Sequence, residues 1–155
     1  MGRIYTASFA GQAETVQVDL IEIAAGASDI VVVHEIGVSQ LLEIKDAEEE
    51  MLLLKWVSGN TTTGSGGNTT GMVPLLIGDP ASGAVVKDTN TTKATAGTQV
   101  VHYQWYWNVR IPFQMIFTPE TRPILIASRR AQLELATTPA DSVTFGGYIV
   151  YEEIG

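Results

Sequence analysis

The stretch "QVVHYQWYWNVRIPF" at 99–113 changes side-chain character with a period of two. Val101, Tyr103, Trp105, Trp107 and Val109 fall on one face, and His102, Gln104, Tyr106, Asn108 and Arg110 on the other. Only an extended chain puts every second residue on the same side, so the pattern predicts a strand with one face turned to a core. The same period recurs in "ETVQVDLIEI" (14–23), where Val16, Val18 and Leu20 oppose Gln17, Asp19 and Ile21. "DIVVVHEIGVSQL" (29–41) is β-branched and bounded by Gly26 and Gly37, and "MLLLKWVSG" (51–59) continues the theme. "RAQLELATT" (130–138) alternates through Ala131, Leu133 and Leu135. "DSVTFGGYIVYEEI" (141–154) alternates through Val143, Phe145, Ile149 and Tyr151, and its Gly146-Gly147 pair predicts a bulge. "LLEIKDAEEEMLLL" (41–54) has helix propensity, but it also reads as a strand, an acidic turn and another strand, which is the preferred reading. Short strands between turn residues predict an all-β fold: a single-domain, jelly-roll-like β-sandwich of about eight antiparallel strands.

A chain of 155 residues fits one domain, read here as 1–155, with one real core. The segment 58–99 differs in kind, being rich in Thr, Gly, Asn and Ser and interrupted by "MVPLLIG" and "GAVV". Neither flank has enough strands to close a core alone, so 58–99 reads as a region inserted in one sandwich rather than a linker. A long Thr/Gly-rich loop is expected between Gly59 and Met72, and such loops are usually functional or disordered. Three Asn-x-Thr sequons begin at Asn60, Asn68 and Asn90. The first eighteen residues lack the apolar centre of a secretory leader, so these are expected to be unmodified turn residues. "MGRIYT" loosely fits a myristoylation pattern, but Ile4, Tyr5 and Phe9 read as an ordinary strand.

Hydrophobic residues make up 45% of the chain and charged ones 17%, a globular balance. No apolar run reaches the roughly 20 residues that span a bilayer as a helix, so no membrane partner is expected. The formal net charge is −8, and the first fifty residues carry ten acids against Arg3 and Lys45. A phosphate backbone would be repelled, which argues against nucleic acid. The excess charge serves solubility or docking onto a basic protein surface. Cysteine is absent, and with it disulfides, thiolate catalysis and cysteine zinc sites. His34 and His102 sit on separate predicted strands, and no Gly-x-Ser-x-Gly elbow accompanies them. Asp46, Glu48, Glu49 and Glu50 lack the turn glycine of a calcium loop. No catalytic, cofactor-binding or metal residue is assigned, and the chain reads as a non-enzyme.

Trp105 and Trp107 are expected in the core rather than on a sugar-stacking platform. Tyr106, on the opposite face, and Arg110 are interface candidates. "FTPETRPIL" (117–125) reads as a rigid surface turn between two prolines. "SRR" (128–130) is the densest positive spot. It would place Arg129 and Arg130 either against acids of a neighbouring subunit or on a solvated edge that resists strand addition. The N-terminal strand, through Ile4 and Tyr5, and the Thr/Gly-rich loop, through Asn60, Thr61 and Asn68, complete the candidate contacts.

"MGRIYTASF", "SGNTTTGSGG", "PETRPIL" and the ending "PADSVTFGGYIVYEEIG" together resemble a family of small tailed-phage structural proteins. The resemblance runs along nearly the whole chain and rests on structural landmarks. It implies a virion component: a jelly-roll capsid decoration, or cement, protein on the outer capsid surface. Its implied partners are the major capsid protein and its own copies, as a homotrimer on local threefold axes. No catalytic residue or cofactor comes with it. The competing reading is a carbohydrate- or receptor-binding β-sandwich module of a phage tail or fibre.

Overall fold

The computed structural model describes residues 2–41 and 50–155, so the helix-or-strand alternative and the acidic turn read at 41–54 lie largely outside the described residues. The described residues form twelve strands and no helix. These are β1 (Arg3–Glu14), β2 (Asp19–Ala24), β3 (Ile30–Gln40), β4 (Met51–Thr62), β5 (Asn68–Thr70) and β6 (Met72–Pro74). They continue with β7 (Val85–Asn90), β8 (Thr95–Asn108), β9 (Phe113–Ile116), β10 (Ile124–Leu125), β11 (Arg130–Leu135) and β12 (Val143–Ile154). One antiparallel sheet runs β6-β1-β12-β3, with β9 and β10 following one another along the far edge of β3. The other runs β5-β7-β2-β11-β4-β8. Their apolar residues merge into one core. Tyr5, Val33, Ile36, Phe145 and Ile149 come from the first sheet, and Ile21, Leu52, Leu54, Trp56 and Leu133 from the second. The result is sandwich-like, with two sheets burying a shared apolar layer.

Bulges explain where simple alternation fails. On β3 the partner register moves from Val33↔Tyr151 to Glu35↔Val150, leaving His34 as an extra residue. Inward-facing residues therefore switch from Val31 and Val33 to Ile36 and Val38. On β2 the pairing skips Leu20, so Val18, Leu20 and Ile21 all reach the core instead of opposing one another. The strand predicted at 14–23 is in fact interrupted. Residues 15–18 belong to no strand, with a bend at 15–16, and Val16 is exposed. On β8 the extra residue is His102, which takes Val101 off the aromatic face and leaves it exposed. Trp107 and Val109 are buried as expected, whereas Trp105 is only half-buried, packed against the core from its edge. The bulge predicted at Gly146-Gly147 is there, but its additional residue belongs to β1, where Gly11 has a φ of 77°.

The Thr/Gly-rich loop is corrected by the structure. β4 continues to Thr62, β5 lies within the supposed loop, β6 begins where it ends, and Ser65 bridges Thr92. Asn60 and Asn90 are buried strand residues, and Asn68 is an exposed one in β5, so none of the three sequon asparagines is a turn residue. The glycines act as spacers for close backbone approach. A Cβ at Gly67 would run into the Asp88 carbonyl, and one at Gly59, where φ is 91°, into that of Thr98. Gly59→Ala is expected to destabilise the fold by about 1–3 kcal/mol. Gly71 has open space and no left-handed φ, so Gly71→Ala is expected to be neutral or to stabilise by about 0.5 kcal/mol. Urea unfolding of the two variants checks the contrast, and equal midpoints would refute the spacer role.

Candidate functional site

The Thr/Gly-rich segment stays in place because buried carboxylates hold it. Glu22, on β2, is buried and accepts four hydrogen bonds from three directions. Thr63 Oγ1 donates at 2.8 Å and Gly64 N–H at 2.9 Å, Asn90 Nδ2 at 2.8 Å, and Arg130 Nη1 at 3.0 Å. Asp88 on β7 accepts from Thr70 Oγ1 at 2.7 Å and from Thr89 Oγ1 at 2.9 Å. Asn60 Nδ2 donates to Gln132 Oε1 at 3.2 Å, and Lys87 Nζ to the Gly64 carbonyl at 3.1 Å. Small polar residues suit this arrangement because their short side chains reach a carboxylate without losing much rotamer freedom.

Next to this stapled segment lies a groove between β4 and the 120–130 segment. It consists of two cavities of about 380 and 320 Å³ that share Ser58, Ile124 and Leu125 in their walls. Gly59, Asn60, Arg129 and Arg130 line the first. Trp56, His102, Tyr103, Glu120 and Arg122 line the second. Ser58 Oγ and His102 Nε2 are 2.7 Å apart across β4 and β8. The rim is a rigid turn, as the prolines of "TPETRP" predict, with Thr121 N–H donating to the Thr118 carbonyl at 2.9 Å and Tyr103 O–H to the Thr121 carbonyl at 2.9 Å. The carboxyl of Glu120 is held below its ordinary range by its own backbone N–H and the Thr118 hydroxyl.

A second feature stands out on the opposite edge of the first sheet. After β6, Leu75, Leu76 and Ile77 project into solvent, Ile77 being 97% exposed. Their base is fixed. Leu75 N–H donates to the Ile4 carbonyl at 2.8 Å, and Asp79 N–H closes a turn onto the Leu76 carbonyl at 3.1 Å. Tyr5 O–H donates to the Pro80 carbonyl at 3.1 Å. Glu153, buried at the end of β12, accepts from Ser82 Oγ, from Gly83 N–H at 3.2 Å and from Ala84 N–H at 2.7 Å. Tyr151 O–H meets Ser82 Oγ at 2.7 Å, and burial pushes its pKa well above the ordinary phenol range.

The residues singled out from sequence are scattered. Ile4 is exposed beside the apolar tip, whereas Tyr5 is wholly buried, stacked on Tyr151 at 5.7 Å, because its position in β1 faces the core. Its side chain is therefore part of the core rather than a contact surface. Thr61 and Asn68 are exposed on the stapled segment, and Asn60 is buried against Gln132. Tyr106 is 76% exposed, and Arg110 is exposed just past β8. Of these, Asn60, Arg129 and Arg130 line one cavity of the groove together. Arg130 answers to Glu22 of its own chain, and β11 is an interior strand rather than an edge. Sequence reading missed Ser58, Trp56, Arg122 and the staple Glu22. The odd acid inside the apolar "DLIEIA" was the available signal for the last.

The histidines take different partners. His34 Nε2 lies 3.1 Å from Glu152 Oε2, while His102 faces a hydroxyl. Among the described residues no group of three or more metal-ligating side chains occurs. No family model, curated protein or solved structure matches this chain, so the use of the groove and the tip has to be read from their chemistry.

Proposed function

We propose that the chain is a tailed-phage virion structural protein. It is a capsid decoration (cement) protein that assembles as a homotrimer and binds the outer surface of the major capsid protein shell. The observation that carries this reading is the apolar tip Leu75–Leu76–Ile77 on a base tied down by Tyr5 and Glu153. An exposed apolar cluster is costly unless it meets a partner, and a rigid one loses little further entropy on docking. The sequence resemblance to phage structural proteins supports the same reading. So does the order of the strands, which suits a jelly roll. β1-β12-β3-β9/β10 and β2-β11-β4-β8 interleave as two four-stranded sheets, with β5, β6 and β7 as the insertion. Contacts repeated by symmetry on a shell add up to a strong clamp from individually weak bonds.

Purified protein is expected to run as a trimer by light scattering and to co-sediment with emptied, stripped capsids. Ile77→Asp with Leu76→Asp is expected to weaken that binding at least tenfold without moving the unfolding midpoint. A strict monomer with no capsid affinity rules the reading out. Tyr106, exposed on β8, favours a second reading as a carbohydrate- or receptor-binding module of a tail or fibre. A glycan-array signal that Tyr106→Ala abolishes would decide for it.

A further inference from the structure

The groove between β4 and the 120–130 segment is a built site independent of the apolar tip, and its chemistry is specific. Its two cavities are each in the range of small-molecule sites. The chain has nine basic residues and a net charge of −8, yet three arginines converge here. Set against Glu120 in the lining and Glu22 behind Arg130, Arg122, Arg129 and Arg130 leave one net positive charge. The Nε of Arg122 is buried and has no hydrogen-bond partner among the described residues. A buried guanidinium N–H left unsatisfied is costly, and a small shift of the groove-lining Arg122 side chain onto a carboxylate oxygen would satisfy it. Arg129 follows Ser128, whose φ of 62° is a left-handed strain that a non-glycine residue holds only when its surroundings enforce it. The strained turn sets the direction in which Arg129 leaves the backbone.

We propose that this groove binds a carboxylate-bearing saccharide, with Arg122 and Arg129 taking the carboxylate and the Ser58–His102 pair reading ring hydroxyls. A single net positive charge suits one carboxylate better than a dianionic phosphate, which Glu120 on the rim would repel about twice as strongly. The Ser58 hydroxyl and His102 imidazole offer a donor and an acceptor side by side, the pairing that vicinal hydroxyls need. Ile124, Ile126 and the half-buried ring of Tyr103 give an apolar strip for the C–H face of a sugar.

The test is calorimetric titration of the full chain with sialyllactose and trigalacturonate, using lactose, inorganic phosphate and a hexaglutamate peptide as the other arms. Binding of at least one acidic saccharide is expected, with lactose at least tenfold weaker. Arg129→Ala, at an exposed position, is expected to weaken it at least tenfold with an unchanged unfolding midpoint. Arg122→Lys keeps the charge but loses the planar guanidinium fork, and is expected to weaken binding several-fold. The proposal is overturned if neither acidic saccharide binds, if phosphate or the peptide binds as tightly, or if Arg129→Ala changes nothing. The Leu76→Asp/Ile77→Asp protein, altered only at the tip and not in the groove lining, should bind the acidic saccharide as the parent does, so failure here is distinguishable from failure of the shell-binding reading.

Discussion

Glu22→Ala is expected to cost about 3–5 kcal/mol of stability, because breaking a buried ion pair leaves its partner charged and unanswered. The carboxylate is buried and accepts from Thr63, Gly64, Asn90 and Arg130 together. Its removal leaves the Gly64 N–H and the Asn90 amide buried without an acceptor, each carrying its own desolvation cost. The loss should also be local. The 61–67 segment should lose hydrogen-exchange protection at Gly64 and become open to proteolysis, while the core amides of β12 keep their order of protection. Glu22→Gln keeps an acceptor and is expected to lose roughly half as much. Combining Glu22→Ala with Arg130→Met removes the stranded charge and should restore about 1–2 kcal/mol. Urea unfolding with exchange measured at Gly64 decides the matter. A Glu22→Ala protein within 1 kcal/mol of the parent, with Gly64 still protected, would remove the staple from the account.

That staple shows what alternation can and cannot reveal. A period of two identifies strands because the pleat enforces it, and the stretches around β3, β4, β8, β11 and β12 were legible for that reason. The same rule assumes an unbroken register. His34, Leu20 and His102 each sit where one strand carries an extra residue, and beyond each of them the inward and outward sets exchange places. A bulge without glycine leaves no mark in composition, so alternation puts Val101 on the wrong face; Val16, in the connection between β1 and β2, is read into a strand that begins only at Asp19. The Thr/Gly-rich segment misled for a different reason. Its residues lack apolar burial, the usual signal of order, and are fixed by carboxylates from β2 and β7 that lie far away in sequence. Long-range polar pairing has no period to read. The groove was hidden likewise. Arg129 and Arg130 could be picked out as a basic spot, but Ser58, His102 and Arg122 join them only once β4, β8 and the 118–121 turn are folded together.

Asp19→Asn is expected to stabilise the protein at pH 8 and to remove part of its pH dependence. Asp19 is buried at the start of β2, and burial pushes its carboxyl from 3.8 up to about 7, against the opposing effect of the Ala94 N–H that donates to it at 2.7 Å. Glu134 and Glu22 add to the rise, and Lys93, itself 2.6 Å from Glu134, lowers it. Since the folded-state value is raised, the folded protein holds a proton that the unfolded chain releases between about pH 4 and pH 7. Stability from this group is therefore fully present below pH 4 and is lost as pH rises through 7, after which the deficit stays constant. Relaxation and water entry reduce the full linkage value, leaving about 1–3 kcal/mol. Asparagine keeps an oxygen for Ala94 N–H and carries no charge. The variant should melt roughly 3–10 °C higher than the parent at pH 8 and nearly level with it at pH 4. Glu14, raised chiefly by its own burial, shifts both proteins in the same direction on acidification, so the difference between them reports Asp19. Thermal unfolding of the pair at pH 4, 6 and 8 measures the difference directly. A gap that is absent at pH 8, or that does not close toward pH 4, would mean that Asp19 is charged in the fold at no cost.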